Sequence, residues 1–185
     1  MNHPTPSQTM MNMLVFHDGQ TDKSGVPYFK HPARVMFRLG PDATDAERHA
    51  ALLHDVVEGC GVTREILFDL GYSEEVLDMI QLLTRDKSMT YRQFIYNIVG
   101  SGNIGAMRIK LADLYDNCSE SRLKLAPPQF HAEIEQMIAV RYKPAISMLL
   151  QCLGDHAKGV IPDDLDIEIK INGESDGEEN VSAGA

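Results

Sequence analysis

Helix signals follow one another along this sequence, and almost no segment alternates polar and apolar residues as a strand does. Residues that cap helix N-termini precede stretches with helical apolar spacing, and glycine or proline follows several of these stretches. The predicted helices cover about residues 10–16, 31–39, 45–58, 63–70, 73–84, 90–100, 103–117 and 127–153, the last with a bend at Pro144. We therefore predict an all-α fold, a single helical bundle.

Length, charge and cysteine content narrow the class of protein. A chain of 185 residues is long enough for one domain with a buried core. The formal net charge of -10 argues against a long nucleic acid as partner, although local cations or a metal ion can still attract a small anion. There is neither an apolar run of the roughly 20 residues that a membrane helix needs nor a secretory signal. No two of the three cysteines are close in the sequence, so neither a disulfide framework nor a zinc knuckle is indicated. We expect a cytoplasmic protein with no membrane partner, and the methionine-rich start leaves a homo-oligomer open.

The chain changes character near Gly159. Acidic residues dominate from there, although Ile167, Ile169 and Ile171 alternate with charged residues like one edge strand. The last residues, 173–185, contain too little apolar material to pack. We predict one domain over residues 1–158 and a flexible acidic extension over residues 159–185.

The segment Leu52-Leu53-His54-Asp55-Val56-Val57-Glu58 places ionisable side chains inside an apolar run. A buried carboxylate must be paired or bound to a metal ion. Glu58 follows His54 by four residues, so in a continuous helix the two side chains share one face. This segment can therefore supply metal ligands together with an acid–base group.

A second polar face lies in the predicted helix 103–117. Lys110, Asp113 and Asn117 have i, i+3, i+7 spacing, which puts a cation, a carboxylate and an amide on one side. His31, at the head of an earlier helix, can complete a set of ligands with His54, Asp55 and Asp113. Such mixed nitrogen and oxygen ligation suits Mn or Fe and leaves positions for water and substrate.

Each of these residues also has a purely structural interpretation. His31 can be a loop or capping residue, His54 and Asp55 can form a satisfied polar pair in the core, and Asp113 can be an ion-pair partner of Lys110. If so, the protein would bind no metal. The order of the residues favours the metal site, because the combination is much rarer than its parts.

These residues resemble the HD superfamily of metal-dependent phosphohydrolases, whose ligands occur in the order H…HD…D. Gly25 to Pro32, Leu53 to Glu58, Leu83-Thr84 and Lys110 to Asn117 are most similar to the hydrolase domain of the RelA/SpoT enzymes and their small stand-alone relatives. The resemblance implies an all-α HD domain and removal of the 3′-pyrophosphate from the alarmone (p)ppGpp.

The resemblance also implies roles for individual residues. One divalent ion, preferably Mn²⁺ with Fe, Co, Ni or Zn as other choices, would be bound by His31, His54, Asp55 and Asp113. Glu58 would activate or position the attacking water, and Asn117 would help to hold a small nucleotide substrate. Lys23, Lys87 and Tyr142 occupy positions where related enzymes contact phosphate or sugar.

The sequence departs from the family at two positions. Gly59 stands where a second carboxylate usually follows the glutamate, and Asp22 stands where an arginine stacks on the guanine base. These departures keep two alternatives open besides alarmone hydrolysis. One is a nucleotidase or (d)NTP phosphohydrolase on the same scaffold, and the other is a catalytically silent module that binds a nucleotide.

Overall fold

The computed structural model describes residues 3–162. Within that range the chain forms helices and turns without a strand, and the predicted all-α fold is confirmed. The α-helices are α1 (Pro6–Phe16), α2 (Lys30–Arg38), α3 (Asp45–Leu53), α4 (Val56–Cys60), α5 (Arg64–Asp69), α6 (Glu74–Leu83), α7 (Tyr91–Gly100), α8 (Ile104–Asn117), α9 (Glu120–Leu125), α10 (His131–Met137) and α11 (Lys143–Leu153).

Side-chain caps set most of the helix starts. Thr44 and Thr90 each form a complete capping box, and Thr63 and Ser73 accept a backbone N–H three residues ahead. The predicted start of the first helix at Met10 was wrong. Thr5 and Gln8 form another capping box, and the helix begins at Pro6.

The predicted continuous helix over residues 45–58 was also wrong, because a turn at His54 and Asp55 separates α3 from α4. The His54 ring donates to the carbonyl of Ala51 at 2.8 Å. That carbonyl is the acceptor that an uninterrupted helix would offer to the N–H of Asp55. The break places both site residues at a junction between helices.

The C-terminal helical region differs from the predicted single helix over residues 127–153. A short 3₁₀ turn (Pro128–Phe130) leads into α10, and a π-helical segment (Ile138–Tyr142) joins α10 to α11. Pro144 lacks the N–H that would bond to the carbonyl of Val140, so the regular α-helical ladder cannot run through this point. The sequence reading also missed α9, which Ser119 caps.

Helices α2, α3 and α8 pack against one another at the centre of the fold. Helix α1 covers α3, α6 lies against α3 and α8, and α11 packs on α8 and α7. Val35, Leu52, Ile80, Leu111 and Leu149 are among the buried residues of the shared core. Burial of these apolar side chains fixes the three central helices relative to one another.

Buried arginines attach the end of the described chain to the core. Arg108 donates to the carbonyl of His156 at 2.7 Å and to that of Leu39 at 3.2 Å. Val160 is buried, and the N–H of Ile161 donates to the carbonyl of Arg38 at 2.8 Å. Packing thus continues past residue 158, and the predicted division into a domain and an acidic extension stays a prediction.

Most of the predicted extension, including the strand over residues 167–171, lies outside the described residues. In the described part, every helix is too short or too polar to traverse a lipid bilayer.

Candidate metal centre and adjoining cleft

Helices α2 and α8 and the turn after α3 bring His31, Asp113 and His54 together, and their ligand atoms all lie within 4.8 Å of one another. The Nε2 atom of His31 is 3.2 Å from Asp113 Oδ1 and 3.6 Å from Asp55 Oδ2. The Nε2 atom of His54 is 3.2 Å from Asp55 Oδ2 and 3.9 Å from Asp113 Oδ1. The four predicted ligands thus form one cluster.

Hydrogen bonds orient both imidazole rings so that Nε2 faces the cluster. The His54 Nδ1 donates to the Ala51 carbonyl, and the His31 Nδ1 is 2.7 Å from Asp116 Oδ2. A carboxylate and a carbonyl can only accept, so each Nδ1 carries the proton and the neutral ring has its lone pair on Nε2. Metal-binding histidines commonly show this arrangement.

Two features of the cluster fit a divalent cation. One is the spacing of its ligand atoms, and the other is a buried nitrogen atom without a hydrogen-bond partner in the described residues. Ligands on adjacent corners around an ion, each at about 2.0–2.2 Å, lie about 3 Å apart. His54 Nε2 is buried without a hydrogen-bond partner among residues 3–162. Burial opposes a charge on His54, yet the adjacent Asp55 and Asp113 carboxylates raise its pKa to about 9. The cluster therefore favours a positive charge at this point, as a metal ion would supply.

The two carboxylates of the cluster are themselves held by neighbouring side chains. Asp113 accepts from Lys110 at 2.5 Å and from Asn117 at 2.6 Å, as their spacing on α8 predicted. The Tyr28 hydroxyl donates to Asp55 Oδ2 at 2.6 Å. Burial would raise the pKa of Asp113, but the Lys110 ammonium and the histidines hold it well below its usual range. Both carboxylates remain ionised and available as ligands.

Asp116 is a functional candidate that the sequence reading missed. Its side chain is fully buried, accepts a hydrogen bond from His31 Nδ1 and is also bound by Arg34 and Arg122. Burial would raise the pKa of Asp116, but these partners hold it far below its usual range. An acidic residue three positions after Asp113 in an apolar helix was the available signal.

A cleft of about 320 Å³ adjoins the cluster, within the range of small-molecule sites. Lys23, Asn117 and Tyr142, three of the four predicted substrate-binding residues, line it. An apolar wall comes from α9, the residue that follows it and α10, with Leu123, Ala126, Ile134 and Met137. Asn117 joins the cleft to the cluster through its bond to Asp113.

Glu58 and Lys87 do not line this cleft in the described part of the chain. Glu58 is exposed on α4, and its Oε2 accepts from the backbone N–H of Arg85 at 3.4 Å. Arg85 lies on the loop between α6 and α7, and Lys87 is exposed two residues after it on that loop. Besides the ligands of the cluster, the predicted site residues therefore fall into a cleft group and a second group, Glu58 on α4 and Lys87 on the loop between α6 and α7.

The two departures from the family have distinct structural settings. Asp22 Oδ1 accepts from the N–H groups of Ser24 at 2.8 Å and Val26 at 3.1 Å, which stabilises the loop before α2. Its Oδ2 lies 3.7 Å from Arg122 Nη2 at the cleft. At Gly59, a Cβ atom would meet no described atom within 4 Å. A larger side chain is therefore sterically possible at position 59.

Comparison with a solved structure shows the fold. The structure resembles that of a metazoan SpoT ortholog, described as hydrolysing ppGpp and acting in starvation responses, with a TM-score of 0.61 and 22% sequence identity. The match covers 83% of this chain and 99% of that one. The two proteins therefore share one all-α architecture over nearly the whole described domain.

Curated relatives agree with the resemblance that the motifs predicted. A guanosine-3′,5′-bis(diphosphate) 3′-pyrophosphohydrolase from Vibrio cholerae is 36% identical over 55% of this chain, and the bifunctional (p)ppGpp synthase/hydrolase SpoT of Escherichia coli is 34% identical over the same share. This chain spans about 16% of the length of each of these relatives. No protein-family model matches it. The predicted similarity to (p)ppGpp 3′-pyrophosphohydrolases is confirmed.

Proposed function

We propose that His31, His54, Asp55 and Asp113 bind one divalent metal ion. The buried His54 Nε2, which has no hydrogen-bond partner in residues 3–162 and faces two carboxylates and a second imidazole nitrogen, carries this proposal. Mixed nitrogen and oxygen ligands suit Mn²⁺ best, and Fe, Co, Ni or Zn can use the same set. When bound, such an ion would provide Lewis acidity and lower the pKa of water.

We propose further that the chain hydrolyses guanosine 3′,5′-bis(diphosphate) and releases its 3′-pyrophosphate. The names of the relatives over 55% of the chain, together with the converging ligands, support this substrate. The protein would thus be a metal-dependent phosphohydrolase whose partner is a small nucleotide.

In this mechanism the residues of the chain bind and orient the substrate and move one proton. Asn117 spans Asp113 and Arg122, which lets it position a phosphate beside the ligand cluster. Lys23 and Tyr142 would contact the nucleotide inside the cleft, and Lys87 would approach its phosphates from the loop beside α4. Glu58, on the same side as Lys87, would orient the attacking water or take its proton.

A second candidate is hydrolysis of another nucleotide by the same site. Asp22 favours it, because a carboxylate lines the cleft at the position where related enzymes have a base-stacking arginine. Neither candidate requires a nucleic-acid polymer, which the net charge of -10 disfavours. We place the protein in the cytoplasm, where its free cysteines Cys60, Cys118 and Cys152 would stay reduced. A homo-oligomer stays open.

Hydrolysis of a substrate panel tests the proposal. Phosphate and pyrophosphate release would be measured with Mn²⁺ for ppGpp, dNTPs, NTPs, nucleoside monophosphates and NADPH, using the native chain, His54→Ala and Glu58→Ala. We expect pyrophosphate from ppGpp with the native chain and from neither variant. Release only from other nucleotides would establish the second candidate. Metal binding without release from any compound would leave a silent binding module.

A further inference from the structure

Positive charge is concentrated behind His31. Arg34 donates to both oxygens of Asp116, at 2.7 and 3.0 Å, and Arg122 Nη1 donates to Asp116 Oδ2 at 2.8 Å. Arg38 Nε is also within 3.4 Å of this carboxylate. Three guanidinium groups thus surround one buried carboxylate, and they outnumber the two carboxylates, Asp116 and Asp22, that lie within 4 Å of them. Such a local excess can attract an anion to a chain that is negative overall.

Among these three arginines, Arg122 lines the described cleft and the other two do not. The Arg38 side chain is fully buried, and that of Arg34 is 14% exposed on α2. The Arg122 side chain is 21% exposed and comes from α9, which also contributes the apolar residue Leu123 to the cleft wall. The positive charge is therefore accessible to a ligand in the cleft through Arg122.

Arg122 has donor capacity left for such a ligand. Its Nη1 is used by Asp116 and by Asn117 Oδ1, at 3.0 Å. The Asp22 carboxylate lies 3.7 Å from Nη2, which is too long for a hydrogen bond. A guanidinium group has five N–H donors in a planar fork that matches phosphate oxygens. Asp116 and Asn117 therefore hold the group in place without exhausting it.

The position of Arg122 also relates it to the predicted ligands. Its Nη1 lies 3.2 Å from His31 Nδ1, and Asn117 connects it to Asp113. A phosphate beside the ligand cluster would therefore lie near this guanidinium group as well.

We propose that Arg122 is a substrate-binding residue that recognises a phosphate group of the nucleotide in the cleft. This inference rests on the proposed function and adds a specificity-determining residue to the same site. Asp116 anchors the guanidinium group of Arg122, and the nearby carboxylate of Asp22 reduces the net positive charge at the cleft. The short helix α9 therefore contributes to substrate recognition.

A matched pair of variants tests this proposal, because Arg34 and Arg122 both donate to Asp116 but only Arg122 lines the cleft in the described structure. Calorimetric titration of ppGpp and of inorganic pyrophosphate in EDTA would give dissociation constants without turnover. Loss of one charge-assisted hydrogen bond in Arg122→Gln should raise them about 10- to 100-fold. Arg34→Gln should change them less than about threefold. Thermal unfolding would confirm that both variants fold, and Arg122→Lys should be intermediate.

Activity measurements separate the two proposals. With Mn²⁺ and ppGpp, we expect Arg122→Gln to raise KM far more than it lowers kcat. Equal losses of affinity in Arg34→Gln and Arg122→Gln would overturn the role of Arg122, while continued ppGpp hydrolysis would leave the proposed function intact. If Arg122→Gln selectively weakens pyrophosphate binding but native protein does not hydrolyse ppGpp, the proposed function fails and the phosphate-binding role of Arg122 stands.

Discussion

The ligand cluster and the adjoining cleft differ in how firmly their side chains are held. In the cluster, His31, His54 and Asp113 are each at most 4% exposed, and buried neighbours fix their orientation. In the cleft, Lys23 pairs with Glu133 at 3.0 Å, but both side chains are more than half exposed. An exposed pair of this kind contributes little and exchanges readily with solvent or ligand. The side chains of the cluster are therefore held in one arrangement, whereas Lys23 in the cleft can exchange its contacts.

The largest effect should follow from removing a ligand of the cluster. We expect His54→Gln to lose stoichiometric Mn²⁺ and to lower phosphohydrolase activity by about 10³-fold or more, because the ion would supply most of the electrostatic stabilisation. Metal content by elemental analysis and steady-state rates would measure this. His49→Gln is the control, since His49 is also buried but lies within α3 and contacts Thr9 instead of the cluster. Full metal content in His54→Gln would refute the assignment.

Substitution of Glu58 tests whether the exposed side of the site takes part in the proposed reaction. We expect Glu58→Gln to lower kcat by about 10²- to 10³-fold, as loss of a positioned base does, without changing metal content. Rates and elemental analysis on the same preparation would separate the two effects. Glu65→Gln, on α5, removes an exposed glutamate elsewhere and should be neutral. Activity within twofold of native would assign proton transfer to another group.

Asp116 tests how strongly the cluster depends on its buried support. Asp116→Asn keeps the shape of the side chain but removes the charge shared by His31, Arg34 and Arg122. We expect Mn²⁺ affinity to fall about 10- to 100-fold, as for other residues that orient a metal ligand. Stability should fall by about 3 kcal/mol, because buried guanidinium groups lose their partner. Metal titration and denaturant unfolding would measure both, and native metal affinity would show that Asp116 is only structural.

The sequence predicted those parts of the fold and site that depend on local spacing. The caps at Thr44, Thr63 and Thr90 set helix starts, and i, i+3, i+7 spacing placed Lys110 and Asn117 around Asp113. These contacts lie within single helices, so their periodicity is enough to predict them.

The contacts of Asp116 with α2, the break after α3 and the helix α9 were not predicted. The carboxylate of Asp116 on α8 meets His31 and Arg34 from α2, and spacing within one helix cannot reveal such a meeting. The break after α3 follows from the His54 side-chain bond to Ala51, which competes with the backbone ladder. Helix α9 has only six residues, too few for a clear periodic signal.

Gly59 offers a gain-of-function test on the side of the site where Glu58 lies. A Cβ there meets no described atom within 4 Å, and Gly59 does not have a positive φ. We expect Gly59→Asp to fold normally and to raise ppGpp hydrolysis about 3- to 10-fold, a small part of what a well-placed acid or base can contribute. Gly59→Ala controls for the added side chain. Equal rates in the two variants would mean that the second carboxylate is not needed in this chain.

Asp22 should give the smallest effect, and it tests whether the cleft is tuned by charge. In Asp22→Asn, the side-chain oxygen can still accept from the N–H groups of Ser24 and Val26, so the loop should keep its turn. Removing the carboxylate beside Arg122 should lower the dissociation constant for ppGpp about two- to fivefold, because partly exposed charges interact weakly. Asp18→Asn removes an acid that does not line the cleft and should leave binding unchanged. Calorimetric titration at two salt concentrations would test this, since an electrostatic gain must shrink as salt rises.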